Sequence, residues 1–270
     1  MVSMRDDVRV VTAESDGPVT TIWLDRPAVR NAITLALAEQ LHQALEVAAE
    51  TARVIVVRGR GGHFCVGGDF EEVARLREGG TDALRPLFEA FVGACELVGE
   101  LAVPVVAAVE GQAMAGGFEL VQSCDIVVVR EDAVLADNHT NFAMIPSGGG
   151  SQRLPRLVGT HRALAHILLG DQLTGVQAVE WGLAHRAAAA AELDDVIADV
   201  CRRLVEKDPV ALRRSKRLVR DGLALSLHDG LHLEREEVLA HLLSPSADQG
   251  IRTFTSRGEQ TTPDPGAEPT

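Results

Sequence analysis

The chain has no tyrosine, and only 3% of its 270 residues are aromatic. A tyrosine general acid is therefore excluded. No apolar run approaches the roughly 20 residues that a membrane-spanning helix needs. The opening MVSMRDDVRV lacks the charged and apolar regions of a secretory signal. Cysteine is scarce: Cys65, Cys95, Cys124 and Cys201 show no C-x-x-C spacing and have no histidine cluster beside them. They read as reduced core thiols of a cytoplasmic protein, not as disulfides or zinc ligands. Positive charge is in deficit, since 26 Lys and Arg stand against 39 Asp and Glu for a net charge of −13. Nucleic acid and membrane surfaces are poor partners on that balance. Gly148-Gly149-Gly150 is not followed by G-K-[ST], and it does not match G-x-G-x-x-G after a strand. No metal, flavin or nicotinamide motif is present, and no permanently bound cofactor is expected. A phosphate-bearing ligand stays compatible, because arginines and helix N-termini could hold one.

With 46% hydrophobic and 24% charged residues, the chain can bury a sizeable core. Residues 8–11 and 19–24 read as strands joined through Asp16-Gly17. Thr34 is a suitable cap for a helix over 35–49, where Leu37, Leu41, Leu45 and Ala48 keep the helical period. A buried strand follows at 53–57, then a helix from Phe70 capped by Asp69, then a helix over 82–99. Strands alternating with helices predict an α/β fold with a parallel sheet. Nothing repeats at a fixed period, so a solenoid is not supported. Beyond His161 the pattern is almost wholly helical, with a short strand at 183–186 and a last helix at 248–254. The expected organisation is an α/β core over 1–159, a helical region over 160–257 and a disordered tail over 258–270.

Chemistry concentrates in VPVVAAVEGQAMAGGFELVQSCDIVVV, residues 103–129. A strand runs into Gly111, Gly116 and Gly117, and a helix then begins near Phe118. Such a turn leaves backbone N–H groups unpaired and lets a ligand approach the chain closely. Glu119, three residues after Gly116, falls on the same side of the helix. An oxyanion donor beside an acid/base suits chemistry next to a carbonyl. A glutamate in a first helical turn is also favoured by the helix dipole alone. Gly68, in HFCVGGDFEEV, is a second glycine whose N–H can be presented at a helix start.

Four segments, LDRPAVRNAI (24–33), HFCVGGDFEEV (63–73), AAVEGQAMAGGFELVQSCDIVVV (107–129) and IPSGGGSQRLPRLVG (145–159), occur in order at set separations. Together they resemble the enoyl-CoA hydratase/isomerase (crotonase) superfamily, and the match covers nearly everything from Val8 to about Arg257. The resemblance implies a spiral of ββα units with a C-terminal helical region that supports trimers, often stacked into hexamers. It implies an acyl-CoA thioester substrate whose oxygen sits between the N–H groups of Gly68 and Gly116. Glu119 matches the first of two catalytic glutamates. CoA contacts are implied at Val29, Arg30, Ala32, Val66, Asp69 and Phe70, and at Phe254 and Arg257, the last two matching a C-terminal pair that reaches CoA, often from a neighbouring subunit.

One departure stands out. The second glutamate of a hydratase lies seven residues before the proline of I-P-x-x-G-G, which here is His139. That histidine can be an acid/base, a polar pocket wall or an ordinary loop residue. Asp137 and Asn141 are near enough in sequence to orient it, but a loop gives no fixed geometry. The 6-oxocamphor hydrolase branch, which cleaves a C–C bond, resembles this chain in placing a histidine there. That branch also carries an aspartate two residues after the proline, where this chain has Gly148, and lacks the G-G-x-E pattern present here. The leading expectation is a lyase that reversibly hydrates a 2-enoyl-CoA. The alternatives are C–C hydrolysis or double-bond isomerisation on a larger cyclic acyl-CoA or ketone, and a CoA-binding module without catalysis.

Overall fold

A computed structural model describes residues 9–260, with side chains described through 255. β1 (Val11–Asp16) and β2 (Val19–Leu24) pair antiparallel, with Asp16 opposite Val19. The first strand starts later than the sequence predicts. The N–H groups of Val10 and Val11 donate to Gln40 Oε1 at 2.9 and 3.1 Å, and Val8 lies outside the described residues. α1 (Leu35–Thr51) begins at Thr34, whose hydroxyl accepts from the Leu37 N–H, and buries Leu37, Leu41, Leu45 and Ala48 as its period requires.

Then come β3 (Val54–Gly59), α2 (Phe70–Arg77), α3 (Gly80–Glu100), β4 (Val105–Val109), β5 (Gln112–Met114), α4 (Gly116–Ser123), β6 (Ile126–Arg130) and β7 (Val134–Ala136). They are followed by α5 (Gly150–Val158), α6 (Thr160–Leu169), β8 (Leu173–Thr174), α7 (Gly175–Glu180), β9 (Arg186–Ala188) and α8 (Leu193–Val205). The main sheet has the order β1-β2-β3-β4-β6-β9 and is parallel from β2 onward. A small second sheet has the order β5-β7-β8. Long strand, short strand, helix is the repeated unit, so the expected α/β spiral of ββα units is observed.

Alternate residues of the main strands face opposite ways. Ile55, Val57, Ala107, Val109, Val127 and Val129 join one core with α1, α3 and α4. Val54, Val56, Val106, Ala108 and Val128 meet Leu193, Ile197 and Val200 of α8 in the other. A strand covered on both faces reads as a continuous apolar run, which is why β3, β4 and β6 were visible in the sequence.

The chain divides later than the expected break at 159/160. Its first compact unit runs through Glu206, and the second starts at Lys207. The reason is pairing: β8 joins β7, and β9 joins β6. The helical segment 160–205 is thus tied to both sheets. The second unit holds α9 (Pro209–Gly222), α10 (Leu227–Leu242) and α11 (Pro245–Gln260). Asp208 and Ser226 cap the first two, and Arg214 pairs with Glu237 between them at 3.2 Å. α11 extends beyond the expected 248–254, so residues 258–260 are helical where a disordered tail was expected. The rest of that segment lies outside the described residues. Among the described residues no helix is long and apolar enough to cross a membrane.

Candidate active site

The site forms where two glycine turns meet. Gly67, with φ 91°, packs so closely that an added Cβ would stand 2.8 Å from Ala115 Cβ and 3.1 Å from the Gly116 nitrogen. Ala115 itself has φ 46°, a costly value for a residue with a side chain. It is pinned on both sides: its N–H donates to Ala136 O, and its carbonyl accepts from the Glu119 N–H, each at 2.9 Å. The two turns bring Gly68 and Gly116 to the wall of one cavity of about 380 Å³. Neither glycine's N–H has an acceptor among the described residues. Both expected oxyanion donors are therefore on one site with their N–H groups unspent.

Glu119, one turn into α4, is fully buried. Its Oε1 accepts from the N–H groups of Ser147 and Gly150, at 3.0 and 2.8 Å. The start of α5 therefore fixes the carboxylate. An added Cβ at Gly150 would come within 3.0 Å of Glu119 Oε1 and 2.9 Å of Asp137 Oδ2, so two buried carboxylates flank this one glycine. The 148–150 glycines make room for side chains, Phe91 and Glu119 at Gly148 and Asp137 and Glu119 at Gly150. Glu119 Oε2 has no hydrogen-bond partner among the described residues and lies 3.9 Å from His139 Nε2.

His139 opens a 3-10 turn (His139–Phe142) where the sequence suggested only loop. Its Nδ1 meets Asp137 Oδ1 at 2.7 Å, and Asp137 is fully buried. Of the two residues considered as its orienting partner, Asp137 does so. Asn141 instead donates to Gly170 O at 3.1 Å. The result is a row of Asp137, His139 and Glu119. His139 lines the cavity wall with Asn138, Pro146 and Ser147.

Burial raises the Glu119 carboxyl above its ordinary range, although the Gly150 N–H and the charge of His139 pull the other way. Burial works to lower the His139 imidazole, but the hydrogen bond and charge of Asp137, aided by Glu119, hold it above its ordinary value. A basic imidazolium thus faces a reluctant carboxylate, a pairing suited to passing one proton in each direction.

His166 was missed in the sequence. It is buried on α6, and its Nε2 accepts the Asp137 N–H at 3.1 Å. Its ring meets Phe118 and Trp181 edge-on, with centroids 5.5 and 5.8 Å away. Burial lowers its pKa, with the charges of Asp137 and Asp171 opposing. A lone histidine on a helix carries no sequence signal that it braces another residue's backbone.

The expected CoA contacts fall in different places. Val66 and Phe70 line the cavity. Val29 is exposed on a turn, and Arg30 donates to Gln112 Oε1 at 2.9 Å. Ala32 is buried, and its carbonyl accepts from Arg26. Asp69 caps α2 at the N–H groups of Glu71 and Glu72 and pairs with Arg26 at 2.9 Å, so its carboxylate is already engaged. Phe254 is exposed on α11 of the second unit, and the Arg257 side chain lies outside the described residues.

The sequence model of the enoyl-CoA hydratase/isomerase family matches residues 14–262. A probable mitochondrial enoyl-CoA hydratase 2 of Arabidopsis thaliana is 31% identical over 250 residues, covering 90% of this chain and 81% of that protein. The mitochondrial methylglutaconyl-CoA hydratase of Mus musculus is 30% identical, with 95% and 83% covered. The crystal structure of an enoyl-CoA hydratase from Bacillus anthracis superposes with a TM-score of 0.86 at 30% identity, covering 92% of this chain and 97% of that one. A family match across nearly the whole chain, joined to these relatives, makes the protein a member of the enoyl-CoA hydratase/isomerase (crotonase) family.

Proposed function

We propose that this enzyme reversibly hydrates a 2-enoyl-CoA thioester, with Glu119 and His139 as its acid/base pair. The observation that carries the reading is the 3.9 Å between Glu119 Oε2 and His139 Nε2. Two atoms at that separation can share one water at about 2.8 Å from each. The thioester oxygen would rest on the N–H groups of Gly68 and Gly116. Water gives a proton to the Glu119 carboxylate as its oxygen bonds to the β carbon. The charge moves onto the thioester as an enolate, which takes a proton at the α carbon from the His139 imidazolium. Loss of one oxyanion donor typically costs on the order of 10²–10³ in rate.

CoA itself is assigned to Val29, Arg30, Ala32, Val66, Asp69 and Phe70, with Phe254 and Arg257 contributed by a neighbouring subunit. Asp69 enters through its backbone, since its carboxylate is used in capping and in the pair with Arg26. No further cofactor has a role in this reading. A cytoplasmic, homotrimeric or hexameric protein is proposed with it.

The Asp137–His139 pair also favours a second reading, in which the histidine activates water against a ketone for C–C cleavage. Loss of the conjugated thioester absorbance of crotonyl-CoA decides between them. Decay that Glu119→Gln and His139→Ala each reduce by about 10² or more supports hydration by the pair. Wild-type decay in Glu119→Gln removes the assignment. Binding of crotonyl-CoA without decay moves the weight to the second reading.

A further inference from the structure

The cavity beside Glu119 is walled with carbon. Phe70, Phe88, Phe91, Phe142, Met144 and Ile145 line its sides and rim. In a chain with seven phenylalanines, four of them face this one space. Among the described residues no lysine, arginine, aspartate or glutamate is in the lining, and His139 is the one titratable side chain there. The rim is exposed as well as apolar, with Phe142 at 55% and Ile145 at 80%. Phe70 and Phe142 stand across from each other with ring centroids 5.8 Å apart and planes tilted by 56°. Single exposed apolar residues mean little, but a cluster around a catalytic floor marks an apolar ligand.

Size points the same way. A volume of about 380 Å³ corresponds to about a dozen waters at roughly 30 Å³ each. With Val66 and Phe70 given to CoA, a four-carbon acyl chain would still leave Phe88, Phe142, Met144 and Ile145 largely uncovered. An aryl ring would cover them, and offset or edge-on contact with phenylalanines adds to the burial. A carboxylate at the far end of the acyl chain would lose its water with no cation to receive it.

We propose that the site takes 2-enoyl thioesters with a bulky, uncharged acyl group, an aryl ring being the favoured terminus, and discriminates against acyl chains that end in a carboxylate. The thioester end of this statement rests on the function proposed above; the acyl preference rests on the lining of the cavity. Phe91 is the fixed wall, since an added Cβ at Gly148 would lie 2.4 Å from its ring and one at Gly116 3.5 Å. Phe142 lies at the end of the 3-10 turn that His139 opens and forms the exposed side.

The test is calorimetric binding of three saturated thioesters that the enzyme cannot hydrate: butanoyl-CoA, 3-phenylpropanoyl-CoA and glutaryl-CoA. The full-length protein is used, and no turnover is needed. The expected order is phenylpropanoyl tighter than butanoyl by about tenfold or more, and glutaryl weakest. Phe142→Ala should weaken phenylpropanoyl binding by a clearly larger factor than butanoyl binding, so that most of the phenyl advantage is lost. Phe88→Arg should improve glutaryl binding relative to wild type. Equal affinity for phenylpropanoyl and butanoyl, or tightest binding of glutaryl, overturns the proposal. The expected binding order in a protein that fails to hydrate any enoyl-CoA removes the hydratase reading alone, and failure to bind all three esters overturns both.

Discussion

Four side chains, Glu119, Asp137, His139 and His166, control the proton inventory of the site, and each was differently legible. Glu119 stood out from its place after two glycines at a helix start. His139 was found by counting from Pro146, but its role needed Asp137, which sequence places nearby without aiming it. Its backbone brace, His166, arrives from 29 positions away and leaves no trace in any local pattern. The pKa directions give two predictions. In the hydration direction Glu119 must be charged and His139 protonated, so kcat/KM should be bell-shaped. Its acid limb should lie above the ordinary carboxylate range and its basic limb above the ordinary histidine value. Asp137→Asn removes the charge that raises His139, and the basic limb should move to lower pH; an unmoved limb would mean that His139 does not set it. The second concerns stability. Folding raises the Glu119 pKa, so between the two values the unfolded chain binds fewer protons and stability falls as pH rises. At neutral pH the buried charge is a cost. Glu119→Gln keeps an oxygen for Ser147 and Gly150, and should raise Tm by about 2–4 °C per kcal/mol recovered while turnover collapses. A lowered Tm would count against the linkage.

In the main sheet β2, β3, β4 and β6 were readable because they are strongly apolar, whereas β1, largely exposed, and β9, only three residues long, were expected at 8–11 and 183–186 and lie at Val11–Asp16 and Arg186–Ala188. The second sheet was not readable. β5, β7 and β8 have only three, three and two residues, too few to show a period of two. Those three short strands nonetheless hold the glycine turn, since Ala115 is tied to Ala136 at the end of β7. Two glycines in these turns differ in a way that substitution can expose. At Gly117 an added Cβ would lie 2.1 Å from Cys65 O, which is backbone and cannot yield. At Gly68 the nearest atom is Val73 Cγ2, at 4.0 Å. Gly117→Ala should therefore cost more than about 2 kcal/mol, a size reserved for strain and overpacking. Gly68→Ala should fold with a Tm close to wild type. Urea denaturation of the two variants side by side reads the difference, and equal stabilities would refute the packing argument.

At the scale of the whole molecule, charge and apolar surface pull against each other. A net charge of −13 favours solubility, yet the helical unit exposes Val219, Leu223, Leu227, Leu243 and Phe254, each at 65% or more. The sequence indicated a helical region but could not show which side chains it would leave outward. If those residues meet other copies, as in the proposed trimer or hexamer, light scattering after size exclusion should give three or six times the chain mass. Leu227→Asp with Leu243→Asp should shift the population toward smaller species. A wild-type monomer at tens of micromolar would contradict that assembly.

Glu119 is gripped by the start of α5, crowded by Gly148 and Gly150, and backed by a helix that turns on a pinned alanine. The carboxylate behind the cavity wall is thus held nearly immovable, since any displacement drags two helices with it. The rim has the opposite character: the side chains of Phe142, Met144 and Ile145, at and just after the end of the 3-10 turn, are exposed. For protein engineering this is a useful asymmetry. Acceptance of new acyl groups can be sought by randomising the rim at little cost to folding, with the proton-transfer apparatus left untouched.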